Sequence, residues 1–147
     1  MVNVVLVDDH KIFRQGLRVL LESEPDIEVI GEAANGDDAA ALVRELKPDI
    51  LVADIRMPGL NGIELARVAR ECSPKTATIV LSMFGDEVYA LEALEAGARG
   101  YVVKESSFEE LILAVREALA SRYFISQTLN AERVMEKWWS KTERTDR

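Results

Sequence analysis

The sequence predicts an α/β fold in which five parallel strands form one sheet and helices cover both of its faces. Short apolar runs, rich in β-branched residues, alternate along the chain with longer segments whose apolar residues recur at helical spacing. Several of the short runs are apolar nearly throughout, as are strands buried on both faces of a parallel sheet. This alternation of strand and helix is typical of a doubly wound sheet.

Five segments have the pattern of buried strands, and each is followed by a segment with the pattern of a helix. The strands are predicted at residues 2–7 (VNVVLV), 27–30 (IEVI), 50–53 (ILVA), 77–81 (ATIVL) and 100–103 (GYVV). The apolar stripes of the helices are Ile12, Phe13, Leu17, Leu20 and Leu21; Ala39, Leu42, Val43 and Leu46; Ile63, Leu65, Ala66 and Ala69; Val88, Leu91 and Leu94; and Phe108, Leu111, Ile112, Val115 and Leu119. The acid-rich run at residues 35–38 (NGDD) has the composition of a helix start.

The composition limits the class of protein. The length of 147 residues suits one domain plus an appendage, and 26 acidic against 18 basic residues give a net charge of -8. This charge argues against nucleic-acid binding by the chain itself, because such modules carry basic patches. A single cysteine, Cys72, excludes an intrachain disulfide, and neither a membrane span nor a signal peptide is visible. We therefore expect a cytoplasmic protein without membrane contact.

Polar residues follow four of the predicted strands at their carboxyl ends. Asp8 and Asp9 follow the first strand, Asp54 the third, Ser82 the fourth and Lys104 the fifth. A parallel sheet brings these ends to one edge, which is where ligands bind in open α/β sheets. Any one of these residues alone is explained as a solvated turn residue or a helix cap, but their joint arrangement is not.

The cluster has the chemistry of a site for Mg²⁺ and a phosphoryl group. Two carboxylates at about 4 Å repel by roughly 4 kcal/mol at an effective dielectric constant of 20, so a cation is expected beside them. Mg²⁺ prefers oxygen ligands and is commonly held by carboxylates together with phosphate oxygens. Because no phosphate-binding glycine loop of the GxxxxGK[ST] type is present, the site does not look built for a nucleotide. Asp54, alone on a middle strand, is the candidate nucleophile that would accept a phosphoryl group.

These residues resemble the receiver domain of a bacterial two-component response regulator. The resemblance covers roughly residues 2–122 and depends on the Asp8-Asp9 pair, Asp54 followed by IRMPGLNG, Ser82, Tyr101 and Lys104. The segments VDDHKIFRQGLRVLLE, ANGDDAA and LEAGARGYVVKES are most similar to the LuxR/NarL-type subfamily. The resemblance implies a flavodoxin-like (βα)5 fold.

The resemblance also implies the roles of the residues at the site. Asp54 would be the phosphoacceptor, and Asp9, Asp54 and the backbone carbonyl of Arg56 would bind Mg²⁺ directly. Asp8 would act mostly through a bound water molecule, and Lys104 would pair with the acyl phosphate. Arg56 and Phe84 are expected to flank the phosphoryl group, although Arg56 is equally well explained as a surface side chain.

The resemblance implies a switch that Ser82 and Tyr101 carry. Ser82 would hydrogen-bond a phosphate oxygen, and Tyr101 would then change rotamer and pass the signal to the face of helix four, strand five and helix five. A structural role for Tyr101 in the core remains the alternative. His10 could suggest a metal or phosphorelay role, but a helix-start or loop-lining role is the simpler interpretation.

The resemblance also implies partners. The phosphodonor would be a sensor histidine kinase or a small acyl phosphate, and the chain would turn over no separate substrate, so it would not be an enzyme in the ordinary sense. A homodimer would form through the face of helix four, strand five and helix five, or through helices one and five. The alternatives are a stand-alone receiver or a pseudo-receiver that acts through protein contacts only. A haloacid-dehalogenase-type phosphatase is disfavoured, because that family expects DxD on the first strand.

Residues 123–147 lie outside the repeating pattern, and we expect them to be a linker after a receiver domain at residues 1–122. They contain an amphipathic helical stripe of Ala131, Val134, Met135, Trp138 and Trp139. Two adjacent tryptophans are expected to pack against the receiver, a second protomer or a missing domain. Full-length members of the family carry a DNA-binding helix-turn-helix domain at this point, which this chain lacks. The chain is therefore expected to be either a truncated piece or a stand-alone receiver.

Overall fold

A computed structural model of the chain describes residues 1–83, 87–104, 108–126 and 131–145, with no side-chain detail at residues 131 and 141–145. Strands and helices alternate along these residues. In chain order they are β1 (Val2–Val7), α1 (Lys11–Glu22), β2 (Ile27–Ala33), α2 (Gly36–Leu46), β3 (Ile50–Asp54), α3 (Gly62–Cys72), β4 (Ala77–Ser82), α4 (Glu87–Glu95), β5 (Gly100–Val103), α5 (Phe108–Leu119), β6 (Phe124–Ile125) and α6 (Ala131–Thr145). The sheet is parallel with strand order β2-β1-β3-β4-β5-β6, which confirms the predicted fold class.

The sheet has six strands, so the prediction of five was wrong by one short strand. The additional strand, β6, contains only Phe124 and Ile125, which pair with Gly100 and Tyr101 of β5. Two residues are too few to produce a recognisable apolar pattern. This strand exists because the chain leaving α5 runs beside the edge of β5 and satisfies its backbone hydrogen-bonding groups.

Apolar side chains cover both faces of the sheet. Successive strand residues point to opposite faces, and on one face they pack with α1 and α5 through residues such as Leu17 and Leu111. On the other face they pack with α2, α3 and α4 through residues such as Val43, Leu65 and Leu94. Each fully buried side chain of this size contributes about 1.5–3 kcal/mol. This two-sided burial holds the strands in register and their carboxyl ends at one edge.

The start of α3 is built close against the end of β3. Asn61 caps α3 by accepting a hydrogen bond from the backbone N–H of Glu64, and the Glu64 carboxylate accepts one from the backbone N–H of Asn61. A Cβ atom at Gly62 would lie 2.5 Å from the carbonyl oxygen of Asp54, a contact that no side chain can make. The glycine therefore allows α3 to begin directly behind Asp54.

The terminal helix α6 packs on α4. Val134 is fully buried against the group that includes Ala90, and the ring of Trp138 lies 5.0 Å from that of Tyr123. The predicted stripe is thus only partly covered, because Trp139 is 59% exposed. None of the described helices is long and apolar enough to cross a membrane.

Candidate functional site

The carboxyl ends of β1, β3 and β5 bring two carboxylates and an ammonium group into direct contact. Lys104 Nζ lies 2.9 Å from Asp8 Oδ2 and 2.6 Å from Asp54 Oδ2. Asp8 and Asp54 are buried, and the Lys104 side chain is only 7% exposed. Residues far apart in the sequence meet here because the parallel strands end at the same edge of the sheet.

The environment of Asp54 and Lys104 shifts both of their pKa values upward. Burial raises the pKa of Asp54, the Lys104 ammonium opposes that shift, and the Asp8 charge adds to it. Burial acts to lower the pKa of Lys104, but hydrogen bonds to Asp54 and Asp8 outweigh it and raise the pKa above its ordinary value. Lys104 therefore stays charged and is the counter-ion for both carboxylates.

Asp54 is also held by the loop that follows it. The backbone N–H of Arg56 donates a hydrogen bond to Asp54 Oδ1 at 3.2 Å, while Asp54 Oδ2 accepts from Lys104. Asp54 lines a cavity of about 130 Å³ together with His10, Arg56 and Lys104, among others. Its carboxylate is thus oriented at both oxygens and faces a small cavity.

Asp9 and His10 lie at the solvent side of the site. His10 is the N-terminal cap residue of α1, which confirms the predicted helix-start position. Its Nδ1 atom lies 3.3 Å from both Asp8 Oδ1 and Asp9 Oδ1, and its backbone N–H donates to Asp8 Oδ1 at 2.8 Å. The sequence pattern did not indicate these contacts between the imidazole and the carboxylates.

The donor set fits a hard divalent cation. Potential ligand atoms of Asp8, Asp9, His10 and Asp54 all lie within 4.8 Å of one another. Three of the four residues supply carboxylate oxygens, which Mg²⁺ prefers over nitrogen and sulfur. The partial exposure of Asp9 leaves room for the water molecules that Mg²⁺ retains. The Arg56 backbone adjoins the cluster, and its carbonyl remains a predicted ligand.

Two residues of α1 support the site, and sequence reasoning did not assign them to it. Lys104 Nζ lies 4.4 Å from the centroid of the Phe13 ring, a favourable cation–π arrangement. Arg14 donates to the carbonyl oxygen of Asp8 at 2.6 Å and to Glu32 at 3.1 Å. Phe13 was indistinguishable from the other apolar residues of its helix, and Arg14 from an ordinary surface arginine.

Ser82 and Tyr101 lie on the neighbouring strands β4 and β5, and both are fully buried. The carbonyl oxygen of Ser82 accepts a hydrogen bond from the backbone N–H of Lys104 at 2.7 Å, which ties the end of β4 to the site. Tyr101 packs in the same apolar cluster as Ala90 and Val134, so it lies between the sheet and the helices α4 and α6. Their switching roles remain predictions, and Phe84 lies outside the described residues.

Comparison with known proteins assigns the chain to a family. The response regulator receiver domain matches residues 4–116, and the chain belongs to that family. Its relatives place it among the LuxR/NarL-type response regulators of two-component systems.

Three relatives illustrate the likeness. The nitrate/nitrite response regulator protein NarL of Escherichia coli K12 is 37% identical over 126 residues, which is 86% of this chain and 58% of the relative. A LuxR-family response regulator from Aurantimonas sp. SI85-9A1 is 40% identical with a TM-score of 0.85, covering 92% of this chain and 96% of that one. Salmonella typhimurium RcsB, in a structure concerned with DNA interaction, is 27% identical with a TM-score of 0.80, covering 92% and 66%. The chain spans 49% to 66% of the length of curated relatives.

Proposed function

We propose that this receiver is a phosphorylation-activated switch in which Asp54 accepts a phosphoryl group from a sensor histidine kinase. The observation that carries the proposal is the bridge from Lys104 Nζ to Asp54 and Asp8 beside the cavity that Asp54 lines. A buried ammonium in contact with a carboxylate can neutralise the negative charge that arrives with a phosphoryl group.

Asp54 is the best candidate for the nucleophile among the three acids. Asp8 is fully buried and holds the backbone N–H of His10, whereas Asp54 lines the cavity. In the proposed transfer, an oxygen of Asp54 bonds to phosphorus while the bond from phosphorus to the donor's histidine nitrogen breaks, and that nitrogen takes up a proton. Lys104 then pairs with the acyl phosphate.

Mg²⁺ is the proposed cofactor. Asp8, Asp9, Asp54 and the backbone carbonyl of Arg56 would hold it, with Asp8 acting through a water molecule. The bound ion would supply positive charge next to the phosphoryl oxygens. The hard-oxygen composition of the cluster supports this choice.

Ser82 and Tyr101 are proposed to carry the response. Phosphorylation brings roughly two negative charges and new acceptor oxygens, and the Ser82 hydroxyl would move inward to donate a hydrogen bond to one of them. Tyr101 lies in the apolar cluster that also contains residues of α4 and α6, so a change in its rotamer would alter the packing of these two helices on the sheet. Moving such a switch from 1:99 to 99:1 requires about 5.5 kcal/mol of differential contacts.

The proposed output is transcriptional control through a helix-turn-helix DNA-binding domain, as the regulatory names of the relatives suggest. The net charge of -8 makes DNA contact by this chain itself unfavourable. We propose that residues 1–122 act as the receiver and residues 123–147 as the linker. For homodimerisation the α1/α5 surface is favoured over the α4–β5–α5 surface. Because α6 lies on α4, that second face is partly covered, whereas Ile12 and Val19 of α1 are 85% and 73% exposed.

Phosphate uptake from acetyl phosphate, followed by the intact mass of the chain, tests the proposal. The parent chain and Asp38→Asn, which changes an exposed acid on α2, should each gain one phosphoryl group in the presence of Mg²⁺. Asp54→Asn should gain none, and chelating Mg²⁺ should abolish the gain. Equal uptake by Asp54→Asn and the parent would contradict the assignment. No uptake by the folded parent from either acetyl phosphate or a phosphorylated kinase would favour a pseudo-receiver that acts through protein contacts.

A further inference from the structure

A second cavity, of about 370 Å³, lies on the side of the sheet that carries α3, α4 and α6, near the amino-terminal edge and away from Asp54. Its volume falls within the range of roughly 300–1,000 Å³ that is usual for small-molecule sites. The lining includes Thr78 of β4, Arg70 of α3, Trp138 of α6, and Arg99 and Tyr123 from the segments that flank β5 and β6. Five separate parts of the chain therefore converge on it.

Two arginines and one acid, Glu95, line this cavity, and neither arginine forms an ion pair with that acid. Arg70 Nη1 donates to the backbone carbonyl of Glu95, and Arg99 Nη1 donates to that of Ser121, each at 3.1 Å. Among the residues that the structure describes, neither guanidinium forms an ion pair with a carboxylate. A guanidinium has five N–H donors, so these single bonds leave capacity for an anion. Two such groups are notable in a chain with a net charge of -8.

Room for Arg70 depends on Gly97, which lies just beyond the end of α4. A Cβ atom at Gly97 would come within 2.9 Å of Arg70 Cδ, and the φ angle of +106° is one that only glycine adopts without strain. The absence of a side chain at position 97 thus lets the aliphatic part of Arg70 pass and its guanidinium reach the cavity.

Aromatic rings form another wall of the cavity. The rings of Tyr123 and Trp138 have centroids 5.0 Å apart, and the Arg99 guanidinium lies 5.2 Å from the centroid of Tyr123. Flat rings next to a guanidinium favour a flat ligand, which can contact the rings while its charged group meets the arginine.

Thr78 adds a hydroxyl group to the lining of the cavity. The residue is only 2% exposed and lines the cavity. No fully buried side-chain polar atom of the described residues lacks a hydrogen-bond partner, and no described residue bonds the Thr78 hydroxyl, so this hydroxyl is open to the cavity. The neighbouring Thr76 is different, because its hydroxyl donates to the carbonyl oxygen of Pro48 at 2.5 Å. A hydroxyl that is open to the cavity can bond water in the free protein and can donate to a polar ligand atom in its place.

We propose that this cavity binds a small planar carboxylate, in which an aromatic ring contacts Tyr123 and Trp138. The carboxylate accepts hydrogen bonds from Arg70, Arg99 and the Thr78 hydroxyl. Since Trp138 belongs to α6, bound ligand holds α6 on the receiver. The cavity shares no lining residue with the Asp54 site, and the two lie at opposite edges of the sheet, so ligand binding can be measured without phosphate uptake.

Benzoate is the probe for this site, and Trp138 is its reporter. In a Trp139→Phe variant, which replaces an exposed residue outside the cavity, Trp138 is the one remaining tryptophan of the sequence. Benzoate should change its fluorescence in a saturable manner and raise the melting temperature by mass action. Benzyl alcohol lacks the charge and inorganic phosphate lacks the ring. Each should therefore bind at least about tenfold more weakly than benzoate.

Substitutions then locate the binding. Arg70→Gln and Thr78→Val should each weaken benzoate binding by roughly tenfold, while the melting curve without ligand shows that the variant is folded. Arg67→Gln, one turn earlier on α3 and outside the cavity, should leave the affinity unchanged. The proposal is overturned if millimolar benzoate gives no saturable change in the folded Trp139→Phe protein. Equal binding of benzyl alcohol, or equal losses in Arg67→Gln and Arg70→Gln, would also overturn it.

Discussion

Lys104 is the residue on which the electrostatics of the phosphoacceptor site depend. It is the ammonium group in contact with both Asp8 and Asp54, and removing one partner of a buried ion pair typically costs about 3–5 kcal/mol. We expect Lys104→Met to lower the free energy of unfolding by an amount of this order at neutral pH without divalent cations. Urea denaturation measures it.

Two comparisons make the Lys104 prediction specific. Lys75→Met, at an exposed position, should change stability little. Adding Asp54→Asn to Lys104→Met should recover part of the loss, because it removes one of the two carboxylates left facing each other. An equal loss in both lysine variants, or no recovery in the double variant, would contradict this account.

Asp26 should give the protein a pH-dependent stability at its surface. Arg116 forms two hydrogen bonds to its carboxylate, at 2.5 and 2.8 Å, and these lower the pKa of Asp26 below its ordinary value of 3.8. A lowered pKa stabilises the folded state above pH 3.8, and this contribution is lost as the pH falls through the lower folded-state value.

Melting temperatures of the parent and Asp26→Asn across pH test this effect. We expect a small deficit for Asp26→Asn at neutral pH that shrinks below about pH 3.8 and is reduced by salt, because the pair is exposed. A deficit that is independent of pH would show that the ion pair is not its cause.

The docking of α6 depends on its apolar side rather than on its ion pairs. Arg133 and Lys137 approach Glu87 of α4 only to 3.5 and 3.6 Å at the surface, where such pairs contribute little, whereas Val134 is fully buried. Val134→Asp should therefore release α6 and shift the tryptophan fluorescence to longer wavelength. Glu136→Asp, which places the same residue on the exposed side of α6, should leave the spectrum unchanged. Similar spectra for both variants would contradict this interpretation.

The two-residue strand β6 is fastened by the residue that follows it. Ser126 Oγ accepts a hydrogen bond from the backbone N–H of Val103 at 2.8 Å and donates to Glu110 Oε2 at 3.1 Å, both buried. Ser126→Ala should destabilise the fold by about 1–3 kcal/mol, because buried polar groups lose their partner. In a double-mutant cycle measured by urea denaturation, the loss in Ser126→Ala should be smaller when Glu110 is already alanine. Strictly additive losses would mean that the two side chains are not coupled.

The molecule as a whole was predictable where its features are local or follow from parallel topology. The alternation of apolar runs and amphipathic segments is a local sequence pattern that each short segment shows by itself, so it predicted five strands and their helices. Once the sheet was taken as parallel, Asp8, Asp54 and Lys104 had to meet at one edge, as they do.

Features set by the docking of one element on another were not predictable in the same way. The contact of Phe13 with Lys104 depends on how α1 lies on the sheet, and the spacing of apolar residues does not predict that orientation. The pattern of residues 131–139 predicted an apolar face but not its partner, and β6 is too short to leave a pattern at all. The second cavity forms where five parts of the chain meet, so no single segment indicates it.

Locating the phosphoryl group on the chain tests the central claim most directly. After Mg²⁺-dependent uptake from acetyl phosphate, borohydride reduction converts an aspartyl phosphate to homoserine, and peptide mass spectrometry then identifies the residue. We predict homoserine at position 54 alone, with none in the Asp54→Asn chain. Homoserine at position 8 or 9, or a phosphorylated chain that yields none at position 54, would contradict the assignment of Asp54 as the phosphoacceptor.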